Sequence, residues 1–303
     1  IWHIQSVPPN QRNAYFTRVT MTVGAVVAVA NLLGSKLVDS CRAAGNEYAG
    51  LLTLRLIAFA LVVLDTFVCM RRIREYPYEQ RKTRFSIRSL FVLPFREKRY
   101  LKTIIIAFMW HFSANIPGPF YQVYLLKDLG VNYSYVMLVN LFNLPAVILL
   151  TPVWSRLLRR LTWFQALATA MAFYLLHYLM LSLVTGTTMY LYPIACILAF
   201  VMAPGINLSF TNIPYINMPA ENQTVYMGFY TAVCNLAALA GVGAGRALVG
   251  HTHGLSFSVF GLLISNKQYV LWLTALAMIV GVTVIYSLDR SLRRQERFEE
   301  DAA

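Results

Sequence analysis

The chain of 303 residues is 58% hydrophobic and only 13% charged, with a mean hydropathy of +0.55. A soluble domain carries about 25% charged residues, so this composition excludes an ordinary soluble fold and makes the lipid bilayer the first partner. The net charge of +13 does not point to nucleic acid, because 11 of the 26 Lys and Arg residues are concentrated in the stretch 71–102 rather than spread over a phosphate-binding face.

The first 16 residues are polar and Pro-rich, begin at Ile1, and lack the basic–apolar–small pattern of a signal peptide. Eight apolar windows follow, at 17–38, 51–70, 102–125, 133–153, 163–184, 188–215, 227–248 and 268–288. Each is long enough to cross a ~30 Å hydrocarbon core. Their unbroken runs predict helices, since a barrel would alternate over segments of about ten residues. Pro117 and Pro119 predict a kink in the third window, and Pro204-Gly205 and Pro214 predict bends in the sixth.

Charge then sets sidedness. The block RRIREYPYEQRKTRFSIRSLFVLPFREKRYLK carries 11 basic and three acidic residues, with two spans before it and six after it. If it is cytoplasmic, 20 basic residues share its side and four (Lys36, Arg42, Lys127, Lys267) lie opposite. Both termini are then expected in the cytoplasm, in a multi-pass protein of the plasma or inner membrane.

An internal repeat gives the architecture. Residues 7–38 align with 218–249 at a shift of 211, pairing Pro8 with Pro219, Tyr15 with Tyr226, Thr20 with Thr231, Gly34 with Gly245 and Leu37-Val38 with Leu248-Val249. Each copy reads as a Pro-led polar loop, a Tyr at the membrane edge, then a span ending in Gly and a base. Both spans run in the same direction, as in a parallel repeat about the membrane normal.

With a basic central stretch and parallel repeats, the chain resembles the major facilitator superfamily, whose two six-helix halves are joined by a basic cytoplasmic loop. The resemblance implies an all-α polytopic bundle whose spans correspond to helices five to twelve. Residues 1–70 would end the first half, 71–101 form the central loop, 102–288 the second half, and 289–303 a cytoplasmic tail. Shifting the repeat back places about four helices ahead of Ile1, so the chain reads as N-terminally truncated. The family's loop after helix eight runs close to G-x-x-x-D-R-x-G-x-R. Here Arg160 fits a base, while Ser155 and Thr162 replace glycines and Arg159 stands where an acid is expected. The glycine–proline motif of proton-coupled drug antiporters is absent from the span 17–38.

The resemblance also implies that helices seven and ten line a central cavity, which directs attention to 102–125 and 188–215. In the first, His111, Asn115, Gly118 and Gln122 share one helical face. In the second, Asn207, Thr211 and Tyr215 follow at i, i+4 and i+8, with Asn212 beside them. Two readings stay open for these polar residues: lining a solute cavity, or hydrogen bonding between helices. Asn140 and Asn143 read as packing residues, and Lys36 and Arg246 as interfacial anchors. Asp65, the one acid well inside a span, is a coupling candidate. It lies about 15 Å along its helix from Arg55, too far to pair directly.

The glycines at 241, 243 and 245 read as a close-packing face, and Tyr174, His177 and Tyr178 as core or lipid-edge packing. The four cysteines show no C-x-x-C spacing and read as small apolar residues. The leading function is a secondary transporter moving a small solute by alternating access, with H+ or Na+ as the coupling ion and no cofactor or metal. The lining would suit a sugar, a nucleoside or an amphiphilic drug. The alternative is a polytopic enzyme of acyl or glycosyl transferase type. No His pairs with a carboxylate at motif spacing, and His251 and His253 are the nearest thing to a ligand pair.

Overall fold

The computed structural model describes residues 12–69, 87–219, 222–259 and 262–300, and each of the eight predicted windows contains helix. In chain order the helices are α1 (Arg12–Ala43), α2 (Glu47–Leu64), α3 (Ile87–Arg96), α4 (Lys98–Asn115), α5 (Gly118–Val123) and α6 (Tyr133–Leu141). They continue with α7 (Asn143–Leu157), α8 (Trp163–Ser182), α9 (Leu191–Asn212), α10 (Gln223–His251) and α11 (Asn266–Glu300). Residues 71–86 of the basic stretch lie outside the described residues, and its remainder forms α3 and the start of α4. The loop between α10 and α11 holds a hairpin of β1 (Ser256–Val259) and β2 (Leu262–Ser265), antiparallel with Ser256 opposite Ser265.

Among the described residues seven helical segments are long and apolar enough to cross a membrane: 21–43, 47–68, 133–157, 163–182, 191–215, 223–251 and 266–293. The third predicted window, 102–125, is divided instead. Pro117 has no N–H to continue the ladder, so the Ile116 N–H turns back to Ser113 O at 3.4 Å and α4 ends. A new helix starts when the Phe120 N–H reaches Pro117 O at 3.1 Å. A second break, inside the window 133–153 that the sequence predicts as one helix, falls at Phe142 between α6 and α7. Pro145 leaves the Leu141 carbonyl without its usual partner four residues on. By contrast α9 runs unbroken through Pro204 and tightens to a 3-10 turn only at Ile213–Tyr215, around Pro214.

The chain forms two compact units, Ile1–Arg84 with Val131–Leu144, and Phe85–Gly130 with Pro145–Ala303. In the first, α1 and α2 form a tight hairpin. Gly45 takes φ +78° and Asn46 caps α2 by accepting the Ala49 N–H at 3.2 Å. Gly50 lets the two backbones meet, since a β-carbon there would stand 3.1 Å from Val38 Cα. The sides of α2 remain open and apolar, with Leu56, Phe59, Leu61 and Val62 all at least 60% exposed. An apolar helix exposed in this way has lipid as its solvent.

In the second unit α8 packs on α9 and α11, and α4 on α10 and α11. The α4–α10 seam is aromatic: the Tyr100 and Tyr226 rings meet edge to face at 4.9 Å, and Tyr100 OH donates to Tyr226 O at 2.8 Å. Tyr226 is therefore core, at 3% exposure, while its repeat counterpart Tyr15 is 39% exposed. Tyr100→Phe should cost about 1 kcal/mol by removing that hydrogen bond between the helices, read as a lower melting temperature in detergent. Gln268 is fully buried at the start of α11. Its amide donates to Ser182 O (2.9 Å) and Val184 O (3.0 Å) and accepts the Ser265 N–H (2.8 Å). His177 is core, with Nδ1 2.7 Å from Ala195 O.

Candidate solute site

The break between α4 and α5 shapes the site. Where the ladder stops, the carbonyls of Phe112 and Ile116 turn toward α10 and press on Gly241 and Gly245. A β-carbon at either glycine would collide with the facing oxygen. Predicted as a small-residue packing face, the glycines at 241 and 245 are thus what lets α10 close over carbonyls that a broken helix leaves exposed at membrane depth. Gly243 faces open space and is not part of this contact.

Directly before the break lie the α4 candidates. His111 is half-buried and its ring stands 5.2 Å from that of Phe210 on α9. Trp110 reaches the same Phe210 at 5.9 Å and Tyr174 at 5.8 Å, and Tyr174 continues to His177 at 5.0 Å. An aromatic chain thus ties α4, α8 and α9 together around His111. Asn115 is half-buried, and Gln122, on α5, is exposed.

On α9, Asn207, Thr211 and Tyr215 are all exposed, whereas Ser209, Ile213 and Pro214 between them are buried. The open side of this helix changes from Ile194 and Ile197 before Pro204 to this polar run after it. Three candidates bond within their own helices rather than across to a neighbour. Asn115 Nδ2 donates to His111 O (2.7 Å), Thr211 Oγ1 to Asn207 O (2.8 Å) and Asn212 Nδ2 to Leu208 O (2.8 Å).

His111 and the Asn207–Tyr215 run therefore meet on one unit through Phe210. Asp65 belongs to the other unit, exposed where α2 passes into a π-helical turn at Asp65–Cys69. His251 and His253 are both exposed, and His251 Nδ1 lies 2.8 Å from its own Ala247 O. Among the described residues no three His, Cys, Asp or Glu side chains form a group that would hold a metal ion.

The structure adds a feature that the sequence motif obscured. The loop after α7 lacks the expected acid, but Asp289 of α11 meets it from outside, accepting from Thr162 Oγ1 at 3.0 Å and pairing with Arg293 at 3.1 Å. Asp289 is 3% exposed and lines, with Trp163, Asn217 and Arg293, a cavity of about 330 Å³. Its signal in the sequence was an acid one residue beyond the last apolar window.

Long apolar helices, a helix broken at membrane depth and polar side chains on its open faces define a polytopic membrane protein of transporter type. A family model described as Major Facilitator Superfamily matches residues 4–242, and the chain belongs to that family. No curated protein matches the chain. Among solved structures it is similar to a bacterial metal transporter, with a TM-score of 0.62 and 14% identity over 93% of this chain and 67% of that one. It is also similar to a bacterial homologue of the iron transporter ferroportin in its inward-facing state, with a TM-score of 0.66 and 14% identity. That match covers 93% of this chain and 64% of the other. At such identity the likeness is one of fold.

Proposed function

We propose that this membrane transport protein works by alternating access as a secondary transporter, carrying a small uncharged polar organic solute. The observation that carries the reading is the exposed Asn207–Thr211–Tyr215 run on a helix whose other side is buried, joined through Phe210 to His111 beside the broken span. Amides, a hydroxyl, a phenol and an imidazole offer hydrogen bonds without net charge, and Trp110 and Phe210 offer ring faces. A metal ion is not part of the proposal, because the neighbours' cargo belongs to proteins that share only the fold. The basic stretch 71–102 is assigned to the cytoplasmic face, which puts the α1–α2 turn and the start of α6 outside.

The test is uptake and efflux of a solute panel by cells expressing the full-length protein. Asn207→Ala and His111→Ala should each raise KM about tenfold for the transported solute, the worth of one lost hydrogen bond of about 1.4 kcal/mol, with membrane abundance unchanged. Asp65→Asn should abolish accumulation against a gradient while leaving exchange intact, as befits a coupling group. Unaltered kinetics in both cavity variants would remove His111 and Asn207 from the site, and no gradient change across the panel would sink the transport reading.

A further inference from the structure

Within the second unit, the first turn of α8, the turn after α9 and the stretch Asp289–Arg293 of α11 enclose the cavity of about 330 Å³. That volume lies at the low end of the range of small-molecule sites, about 300–1,000 Å³. The cavity sits at the end of the bundle that carries the basic stretch. Lys102 donates to Ser291 Oγ of α11 at 3.0 Å, and Asn217 Nδ2 donates to Thr103 Oγ1 at 3.4 Å.

The polar wall is built around one arginine. Buried Asp289 takes the Thr162 hydroxyl on Oδ1 at 3.0 Å, and its Oδ2 stands 3.1 Å from Arg293 Nε. Arg293 Nη2 reaches the same Thr162 hydroxyl at 3.5 Å. Thr162 is itself fixed as the cap of α8, accepting the Gln165 N–H at 3.2 Å. Both oxygens of the carboxylate are thus engaged within the wall, while the Arg293 side chain stays 42% exposed. A buried acid that orients an arginine leaves the guanidinium fork to meet an oxyanion. Arg159 and Arg160, just before this wall, and Arg290, next to Asp289, are exposed, so the local field also favours an anion. Leu161, Trp163 and Ile216 add half-buried apolar surface, which a bare inorganic anion would leave uncovered.

We propose that this cavity binds the phosphate monoester group of an organic ligand, with Arg293 gripping the phosphate oxygens and Trp163 covering the organic part. A monoester carries a charge of about −1.5 to −2 near pH 7, which suits one oriented arginine backed by three more better than a carboxylate does. The phosphate belongs either to a lipid headgroup of the adjoining leaflet or to a soluble ester, and the chemistry is the same for both. None of these residues belongs to the Asn207–Tyr215 run or to the His111 cluster, so the site stands whether or not the transport reading does.

The test uses the full-length protein in phosphatidylcholine nanodiscs, titrated with phenyl phosphate and followed by calorimetry and by the thermal unfolding midpoint. Saturable binding with a raised midpoint is expected. Arg293→Gln should weaken it about tenfold or more, and Arg293→Lys, which keeps the charge and loses the fork, by less. Arg290→Gln, beside the cavity, should change it by less than about twofold. Asn217 takes φ +58°, a conformation that Asp also tolerates, so Asn217→Asp puts a negative charge into the wall at little cost to the fold and should abolish binding. Phosphatidic acid added to the nanodiscs separates the two sources. If it displaces phenyl phosphate, or binds alone and is lost in Arg293→Gln, the ligand is a lipid headgroup; if it leaves phenyl phosphate in place, the ligand is a soluble ester. Saturable binding of neither compound overturns the proposal, as does an affinity unchanged in Arg293→Gln. Should Arg293→Gln fail to fold, an unchanged affinity in Asn217→Asp overturns it instead.

Discussion

Gly241→Ala and Gly245→Ala should each cut the yield of folded protein severely, with the double variant failing to assemble. The added methyl at 241 meets the Phe112 carbonyl and the one at 245 meets Ile116 O, both of them backbone atoms at the break in the third predicted span. A flexible side chain would swing aside at little cost, but a carbonyl moves only if α4 or α10 moves with it. Overpacking of an ordinary core costs about 1–3 kcal/mol, and here the displaced helices also uncover carbonyls that no water can reach. Thermal unfolding in detergent, followed by the fluorescence of a fused reporter, would measure the effect. Gly243→Ala serves as the control, because a β-carbon there meets nothing within 4 Å. Equal stability of all three variants would mean that α10 does not seal the break.

The second large effect concerns Gln268. Gln268→Leu keeps the side chain's approximate bulk and removes the amide from three backbone contacts at once, leaving Ser182 O and the Ser265 N–H without it while Val184 O keeps the Tyr124 hydroxyl. Each buried group left unsatisfied costs about 1–3 kcal/mol, so the loss should reach several kcal/mol and loosen the end of α8 from the start of α11. Hydrogen exchange should rise at residues 182–185 and 264–268 while the α4–α10 seam stays protected. Gln268→Glu, which keeps the acceptor, should recover the Ser265 contact alone. Protection unchanged in Gln268→Leu would show that the carbonyls find other partners.

The bilayer-scale features were legible in the sequence because they depend on sums. Twenty apolar residues make a span whatever their neighbours, and a proline breaks a ladder wherever it falls, which is why the interruption at Pro117 was foreseen. The second interruption, at Phe142, was not. Pro145 lies in the first turn of the following helix, a position that proline tolerates, so the pattern gave no warning. At the candidate site Asn207, Thr211 and Tyr215 follow at helical spacing, and all three are exposed. That spacing did not show that Asn115, Thr211 and Asn212 would bond to their own helices, since back-bonding and cross-helix bonding use the same residues at the same spacing. Asp289 and Gln268 were missed for a different reason. Each acts on a backbone or hydroxyl partner that has no signature of its own, so no pairing of residue types pointed to them.

The last helix carries a practical consequence. Helix α11 runs 35 residues from Asn266 to Glu300, about 52 Å at 1.5 Å per residue, against a hydrocarbon core of ~30 Å. Its far end therefore works as the pointer of a gauge. A small rotation of the membrane-embedded part is magnified into a larger sweep at the tip, where a fluorophore would report it without touching the solute path.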